Sequence, residues 1–228
     1  MLSLCINQDY HMIQAVLFDM DGVLVDSEEY ICLAAIQMFN ELGVRVLPDD
    51  FIPFIGAGEN RYLGGVAEKY GVLLNLPKAK HRTYTIYGEI VSGKLKPLPG
   101  VKEFIDQCIR SGIKIAVATS ADLMKMEINL SEIGIPAGTF DVTVNGLQVV
   151  NKKPSPDIYL TAAKKLGVDP AHCLVVEDAV NGIEAAKNAG MHCLALTTSF
   201  HADQLEQADL ICKDLSEVPD DIFYIDES

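Results

Sequence analysis

The chain alternates between two hydrophobic patterns, one typical of buried strands and one typical of amphipathic helices. Short apolar runs predict strands over residues 13–18, 113–118, 142–144, 173–176 and 193–196. Apolar positions at helical spacing lie between or after these runs: Val101, Phe104, Ile105, Cys108 and Ile109; then Tyr159, Ala162, Ala163 and Leu166 before Gly167; then Ala179, Gly182, Ile183 and Ala186 before Gly190. Strands that alternate with helices predict an α/β fold, a doubly wound, Rossmann-like parallel sheet covered by helices on both faces.

One long segment breaks this alternation. Residues 27–96 contain helical patterns only, and we expect helices near 60–70 and 78–91 in addition to a first one with the apolar stripe Ile31, Ala34, Ala35, Met38 and Leu42. We therefore predict an inserted, small all-helical cap domain at 27–96, and an α/β core domain made of 1–26 and 97–228. The linkers are expected near 25–27 and 94–99, and the acidic end, 219–228, is expected to be a surface tail.

Composition narrows the classes of function. The 228 residues are 49% hydrophobic, enough for a packed core, and carry a formal net charge of −14. Such a surface repels phosphate backbones and anionic lipids, so we expect neither nucleic acid nor a membrane as partner. No apolar run is long enough to cross a bilayer, and the first residues lack the basic region of a secretory signal. The six cysteines form no C-x-x-C pair, which favours reduced thiols and a cytoplasmic protein. We expect a monomer, although these features do not fix the oligomeric state.

Polar residues that could carry chemistry follow the predicted strands. Asp19 and Asp21 come directly after the first strand, with Gly22 permitting a tight turn, and Thr119 and Ser120 follow the next. Carboxylates one residue apart can take separate roles toward one ligand, and a hydroxyl before a helix can hold a phosphoryl oxygen. Each pattern also has a purely structural interpretation, a surface turn for the first and a helix N-cap for the second.

Two further polar groups lie later in the chain. Lys152 and Lys153 precede the rigid sequence Pro154, Ser155, Pro156, so an ammonium there could neutralise a phosphate, although loop lysines are usually only solvated. Glu177 and Asp178 follow a buried strand, where adjacent acids raise each other's pKa unless a cation such as Mg²⁺ lies between them. A solvent-facing acid pair at a helix start is the alternative. All four groups are predicted to meet at one edge of one parallel sheet, and that convergence favours function.

The order of these motifs resembles the haloacid dehalogenase (HAD) superfamily. The quoted runs are D-M-D-G-V-L-V-D-S, A-T-S, K-P-S-P-D and V-E-D-A-V-N-G-I, and the likeness extends over about residues 13–215. It is strongest to the branch that contains helical-capped sugar-phosphate phosphatases and β-phosphoglucomutases. The resemblance implies a phosphomonoester hydrolase that acts on a small phosphorylated metabolite, a sugar or polyol phosphate.

The resemblance also implies a role for each matching residue. Asp19 would be the nucleophile that forms an aspartyl-phosphate, and Asp21 the general acid and then the base for water. Thr119, with Ser120, and Lys153 would bind the phosphoryl oxygens. Mg²⁺ would be held by four residues: by Asp19, by the backbone carbonyl of Asp21, and by Asp178 with Glu177 nearby.

Particular residues distinguish this activity from its alternatives. A dehalogenase is disfavoured because the second acid, Asp21, is present and halide displacement needs neither leaving-group protonation nor Mg²⁺. A β-phosphoglucomutase-like mutase is the main alternative, but Ile31, Asp122 and Leu123 stand where the mutase pattern has a histidine, a lysine and an asparagine, so groups that would hold a second phosphate are missing. A non-catalytic interaction domain would be expected to lack at least one of the motif residues, and all are present.

Residues that select the substrate are the least determined by the sequence. Gly56, Ala57 and Gly58 suggest a flexible loop near the active site, and Arg61 is predicted as a phosphate or sugar contact. Arg61, like His81 and Arg82, could equally be a solvated helix residue. No two of the five histidines have metal-ligand spacing, so zinc is not expected.

Overall fold

The computed structural model describes residues 10–54 and 58–226 of the chain. The loop expected at Gly56 and Ala57 lies outside the described residues. In the parts that are described, the segments form a parallel sheet with helices on both faces and a helical insertion, which is the fold class that the sequence predicts.

The central sheet has six strands, all paired in parallel. These are β2 Ala15–Phe18, β3 Lys114–Ala118, β4 Val142–Val144, β5 Cys173–Glu177, β6 His192–Leu196 and β7 Leu210–Cys212. Their spatial order is β4-β3-β2-β5-β6-β7, so β2 lies at the centre between β3 and β5. The five strands expected from apolar runs are present. The edge strand β7 was not predicted, because its three residues are only half-buried and show no continuous apolar run.

Alternate side chains of the central strand β2 point to opposite faces of the sheet and join different parts of the core. Phe18 packs edge-on against Phe104 on one face. Leu17 lies on the other face in the cluster that contains Tyr159. The helices that cover the sheet are α4 Val101–Arg110, α5 Leu123–Glu132, α6 Asp157–Leu166 and α7 Val180–Asn188. Helices on both faces explain why the strands are apolar throughout.

The helix predictions around the sheet hold with one exception. Gly167 ends α6 in the left-handed conformation, as the sequence indicates. The buried face of α4 is formed by Val101, Phe104, Ile105 and Cys108. The assignment of Ile109 to this face is wrong, because its side chain is 51% exposed at the end of the helix.

The insertion between β2 and α4 consists of three helices in its described part, α1 Glu28–Glu41, α2 Glu59–Lys69 and α3 Leu76–Val91. The first and third of these pack against each other, and Ile31, Met38 and Tyr87 are buried. The predicted stripe on α1 needs a correction: Leu42 is 53% exposed, and Phe39 is buried instead because it packs on Phe51. An inserted helical cap is therefore present.

The two connections between cap and core run next to each other. Val25 forms an isolated antiparallel bridge with Pro97, and the Leu98 backbone N–H donates to the Leu24 carbonyl at 3.0 Å. Val25, Pro97 and Leu98 lie within the linkers predicted at 25–27 and 94–99, and Leu24 lies one residue before the first of them. The domain limits at 26/27 and 96/97 stay predictions.

The C-terminal end differs from the expected surface tail. Tyr224–Asp226 (β8) pairs in antiparallel fashion with Tyr10–Met12 (β1). Phe223 is buried, and its ring lies 5.9 Å from that of Phe104. The tail prediction is wrong for this part, because the acidic composition hid one aromatic anchor and a short pairing with a segment more than two hundred residues away.

Two further features of the described chain are the character of its helices and the state of its cysteine thiols. None of the helices within 10–54 and 58–226 has the length and apolar character needed to cross a membrane. Five cysteines of the described chain are free thiols, and three of them are buried, namely Cys108, Cys173 and Cys193. Burial raises the pKa of the Cys108 and Cys173 thiols to about 12, so these groups remain protonated at neutral pH.

Candidate active site

The two carboxylates Asp19 and Asp21 lie directly beyond the carboxyl end of the central strand. The Asp19 backbone N–H donates to the Val176 carbonyl at 3.0 Å, which continues the strand ladder and fixes the position of Asp19. Gly22 has φ +78°, and a Cβ atom there would lie 1.8 Å from Oδ2 of Asp178. Only glycine therefore lets the two loops approach as closely as they do.

Thr119 and Ser120 follow the neighbouring strand β3. The Thr119 backbone N–H donates to the Val144 carbonyl, and its buried hydroxyl accepts the Ala121 N–H at 3.1 Å. Both residues line the same cavity as Asp19. The hydroxyl therefore lies at the sheet edge in an orientation held by the backbone.

Lys153 contacts one carboxylate of the first motif, Asp19, and one of the last motif, Glu177. Its Nζ atom donates to Oδ1 of Asp19 at 2.6 Å and to Oε1 of Glu177 at 2.5 Å, and its side chain is 6% exposed. Lys152 instead donates to the Gly146 carbonyl. Of the two lysines in the loop, Lys153 is the one that contacts the carboxylates.

Glu177 uses all of its accepting capacity within the protein. Oε1 accepts from Lys153 and from the Tyr159 hydroxyl at 2.7 Å, and Oε2 accepts the backbone N–H groups of Asp178 and Ala179 at 2.9 and 3.0 Å. Each carboxylate oxygen has two lone pairs, so no position remains for a metal. The interpretation of Glu177 as a metal ligand is therefore not supported by its geometry, which makes it the residue that holds Lys153.

The remaining acids carry negative charge that one lysine does not balance. Burial raises the pKa of Asp19 to about 7 despite the opposing charge of Lys153. Burial, followed by the charges of Glu177 and Asp19, raises the pKa of Asp178 well above its usual range. The Ser199 hydroxyl donates to Oδ2 of Asp178. For Glu177, burial works in the same direction, but the charge of Lys153 and the hydrogen bonds from Lys153, Tyr159 and the Ala179 N–H together outweigh it, and the pKa is lowered.

A divalent cation fits this donor set. Among the described residues, no group of three or more His, Cys, Asp or Glu side chains could hold a metal ion. Mg²⁺, however, is usually bound by one or two carboxylates together with substrate oxygens and waters. Asp19 and Asp178, both 8% exposed or less, supply two carboxylates; burial is the main cause that raises their pKa values, and a cation would favour the charged forms that burial disfavours.

Asp21 is held by a cluster that the sequence analysis missed. Lys125 Nζ donates to its Oδ2 at 2.8 Å, Asn129 Nδ2 donates to its Oδ1 at 3.3 Å, and the Ser27 hydroxyl also donates to Oδ1. Lys125 and Asn129 are buried on one face of α5. Their spacing of four residues within an otherwise apolar stripe was the available signal.

This cluster adds a cation where the sequence predicts that cationic groups are lost, at Asp122 and Leu123. Lys125 supplies a buried ammonium one turn after Asp122. Asp122 itself is paired with Lys80 of the cap at 2.5 Å. The cap also reaches the cluster through Tyr87, whose hydroxyl donates to Asn129.

A cavity of about 590 Å³ lies over these residues, between the sheet edge and the cap. Among the described residues that line it, the cap contributes Glu28, Ile31, Phe54, Gly58, Glu59 and Tyr62. The core contributes the motif residues and Phe200, which follows β6. The size suits a small metabolite.

The other cap residues considered in the sequence lie elsewhere. Arg61 pairs with Glu68 at 2.8 Å, its guanidinium lies 5.0 Å from the Phe54 ring centre, and it is not among the described residues that line the cavity. Arg82 forms two hydrogen bonds with Glu41. His81 is also absent from that lining.

Fold and site together define an α/β enzyme of the phosphoryl-transfer type, with two aspartates, a hydroxyl, a lysine and an acid pair at the carboxyl edge of a parallel sheet beneath a helical cap. The chain belongs to the haloacid dehalogenase-like hydrolase family, whose model matches residues 16–196, and to its β-phosphoglucomutase-like branch. Within that family it is a phosphatase-type enzyme.

Similar proteins come from bacteria and plants. The chain is 43% identical over 206 residues to Protein SUPPRESSOR OF QUENCHING 1, chloroplastic, of Arabidopsis thaliana, covering 88% of this chain and only 19% of that protein. It is 36% identical to Protein CbbY of Cereibacter sphaeroides, covering 80% of this chain and 84% of CbbY. It is 35% identical to the phosphorylated carbohydrates phosphatase of Thermotoga maritima, covering 78% and 82%.

Solved structures show the same fold. CbbY from Rhodobacter sphaeroides, crystallised with phosphate, superposes with a TM-score of 0.82 at 28% identity, covering 90% of this chain and 96% of that one. β-Phosphoglucomutase from Clostridium difficile superposes with a TM-score of 0.78 at 23% identity, covering 91% and 94%. The similarity to β-phosphoglucomutase shows only that the fold is shared.

Proposed function

We propose that the chain hydrolyses a small phosphorylated metabolite, a sugar or polyol phosphate, through an aspartyl-phosphate on Asp19 and with Mg²⁺ as cofactor. The observation that carries this proposal is the contact of Lys153 Nζ with Oδ1 of Asp19 at 2.6 Å, beside Thr119 at the same sheet edge. A carboxylate held against an ammonium in a partly closed cavity suits attack on a phosphoryl group, where positioning and positive charge matter most.

In the first half-reaction, a carboxylate oxygen of Asp19 forms a bond to phosphorus while the bond from phosphorus to the ester oxygen breaks. Lys153, the hydroxyls of Thr119 and Ser120, and nearby backbone N–H groups bind the phosphoryl oxygens. Asp21, in its protonated form, donates a proton to the departing oxygen, so the product leaves as an alcohol.

In the second half-reaction, Asp21 accepts a proton from water, whose oxygen attacks phosphorus of the aspartyl-phosphate. The acyl phosphate bond breaks, inorganic phosphate leaves, and Asp19 returns as a carboxylate. Ser27, Lys125 and Asn129 hold Asp21 in place through both halves.

The proposed magnesium ligands are the side chains of Asp19 and Asp178 and the backbone carbonyl of Asp21. When bound, the ion would neutralise the phosphoryl oxygens and the carboxylates that face them. Glu177 is removed from the ligand set proposed from the sequence, because its four hydrogen bonds leave it the role of orienting Lys153.

The substrate class is supported by the names of the relatives. One is a phosphorylated carbohydrates phosphatase, and a variant of CbbY was crystallised with xylulose-(1,5)bisphosphate. The cavity of this chain combines apolar faces, such as Phe54 and Phe200, with polar groups, such as Ser27 and Tyr62. That mixture suits the two faces and the hydroxyls of a sugar or polyol.

A mutase uses the same aspartyl-phosphate but must hold a sugar bisphosphate while excluding water. That Ile31, Asp122 and Leu123 replace the histidine, lysine and asparagine of the mutase pattern no longer argues against a mutase by itself, since Lys125 is present. We favour hydrolysis because Lys125 is already paired with Asp21. With β-glucose 1-phosphate as substrate, phosphorus NMR should show free phosphate forming faster than glucose 6-phosphate, whereas clean isomerisation would establish the mutase.

The test of the proposal is Asp19→Asn. An amide cannot attack phosphorus, so hydrolysis of p-nitrophenyl phosphate should fall to background while the circular dichroism spectrum is unchanged. Trapping of phosphate on the wild-type chain and its absence on the variant would identify the intermediate. Retention of more than a few per cent of the activity by a folded variant would remove Asp19 from this role.

Three further predictions concern the cellular compartment, the oligomeric state and the domain limits. We propose a reducing compartment because the thiols of the described cysteines are free, and cytoplasmic location remains the expectation, although one relative is named as chloroplastic. A monomer and the domain limits given above are likewise proposals. Size-exclusion chromatography with light scattering would test the monomer.

A further inference from the structure

Acidic side chains greatly outnumber basic ones around the cavity. Its described lining contains eight carboxylates and two lysines, and neither arginine nor histidine. The residues whose placement is not described, 1–9, 55–57 and 227–228, include no lysine or arginine either. Even after a magnesium ion is added at the sheet edge, negative charge would remain in excess.

Four of the eight carboxylates lie outside the proposed catalytic and metal-binding groups. Glu28, at the start of α1, and Glu59, at the start of α2, line the cavity from the cap. Asp26 lines it from the linker and Glu184 from α7. Burial raises the pKa of Glu28 and of Glu59, but a carboxyl group in either protonation state offers no positive charge.

Neither lysine is available to a distant anion. Lys153 lies between Asp19 and Glu177, where the transferred phosphoryl group is proposed to bind. Lys125 is 4% exposed and donates to Asp21. Burial acts to lower the pKa of Lys125, but the charges of Asp21 and Glu59 raise it overall, so its ammonium is already balanced by two acids.

The cations of the cap are paired away from the cavity. Lys80 pairs with Asp122, Arg61 with Glu68, and Arg82 with Glu41. In contrast, Glu28 and Tyr62 adjoin each other on the cap side, where burial raises the pKa of Glu28 and a hydrogen bond with Tyr62 opposes that shift. Both residues line the cavity, so a ligand that reaches the cap meets a carboxyl group and a hydroxyl group there and no cation among the described lining residues.

We propose that the enzyme selects phosphate monoesters whose remaining part is a neutral polyol, recognised by Glu28, Glu59 and Tyr62, and discriminates against sugar bisphosphates. This inference rests on the proposed phosphatase function and adds to it which phosphorylated sugars are accepted. A second phosphate would lie among carboxylates in a cavity of reduced dielectric, where like charges repel more strongly than in water.

The experiment compares fructose 6-phosphate and fructose 1-phosphate with fructose 1,6-bisphosphate, with Mg²⁺ in excess. Each compound is assayed as a substrate and as an inhibitor of p-nitrophenyl phosphate hydrolysis, so that affinity is measured with or without turnover. The better monophosphate should exceed the bisphosphate by about tenfold or more in kcat/KM or in 1/Ki, equivalent to about 1.4 kcal/mol. An equal or better value for the bisphosphate, or inhibition by none of the three, would overturn the inference.

Two substitutions of Glu59 test whether the cap causes the preference for monophosphates. Glu59→Lys should move the ratio toward the bisphosphate by about tenfold, and Glu59→Gln should move it less in the same direction. Glu103→Lys, an equal charge reversal at an exposed position of α4, is the matched control and should leave the ratio unchanged. Unchanged ratios in both Glu59 variants would refute the role of the cap acids. Absence of p-nitrophenyl phosphate hydrolysis in the wild type would instead refute the phosphatase function itself.

Discussion

The sheet edge and the cap face the same cavity but are built differently. At the sheet edge, Glu177 is fixed by four hydrogen bonds and Asp21 by three donors. On the cap side, Glu28, Glu59 and Tyr62 line the cavity, and none of the described lining residues of the cap is a cation. The comparison indicates that the core preorganises the chemistry, whereas the cap sets the polarity that the substrate meets.

The largest expected effect comes from removing the cation at the sheet edge. Lys153→Met keeps the length and apolar stem of the side chain but loses the ammonium between Asp19 and Glu177. We expect kcat for p-nitrophenyl phosphate to fall by about a thousandfold, comparable to loss of a main transition-state donor. Lys152→Met is the matched control, with a much smaller effect. Similar losses in the two variants would contradict the assignment of Lys153.

Metal binding should be visible without any assay of activity. Because Asp19 and Asp178 carry uncompensated charge, Mg²⁺ at about a hundred times its Kd should stabilise the protein by about 2.7 kcal/mol, or raise Tm by about 5 to 10 °C. Asp178→Ala should lose most of this shift, while Asp203→Ala, at an exposed position, should retain it. A thermal shift assay with and without EDTA measures it, and equal shifts in both variants would exclude Asp178 as a ligand.

A smaller effect is expected from a position that contacts no substrate. A Cβ atom on Gly182 would lie 1.8 Å from Oε1 of Glu177, which is fixed by Lys153 and Tyr159. Gly182→Ala should therefore displace Glu177, lower kcat by about tenfold, and cost about 1 to 3 kcal/mol of stability through overpacking. Gly138→Ala, where the added atom meets nothing within 4 Å, is the control. Unchanged kcat in Gly182→Ala would show that Glu177 does not orient Lys153.

The smallest effect is expected on the outer side of the cap. Arg61 is exposed and paired with Glu68, and exposed ion pairs contribute little. Arg61→Ala should leave kcat/KM for a sugar monophosphate within about twofold and stability within about 0.5 kcal/mol. A loss of tenfold or more in kcat/KM would restore Arg61 as a substrate contact, the role proposed from the sequence, and would weaken the contrast between the two regions.

The sequence predicted the fold well where the signal is local. Apolar runs located five of the six strands of the central sheet, and helical spacing located the cap and three of the four covering helices, α4, α6 and α7, but not α5. Errors occurred where long-range contacts decide burial. Leu42 and Ile109 continue apolar stripes but lie at helix ends without a neighbour to cover them, whereas Phe223 is buried by Phe104 from an acidic segment.

The same division holds at the site. The sequence by itself determined which chemical groups stand at the carboxyl ends of the strands, because strand periodicity and the following residue, as in Phe18–Asp19, are local properties. Only the tertiary structure decided their partners. Lys125 reaches Asp21 across 104 positions of sequence, and Lys153 reaches Asp19 across 134. Sheet order and helix packing bring such groups together, so the identity of a buried charge pair follows from the fold and not from spacing along the chain.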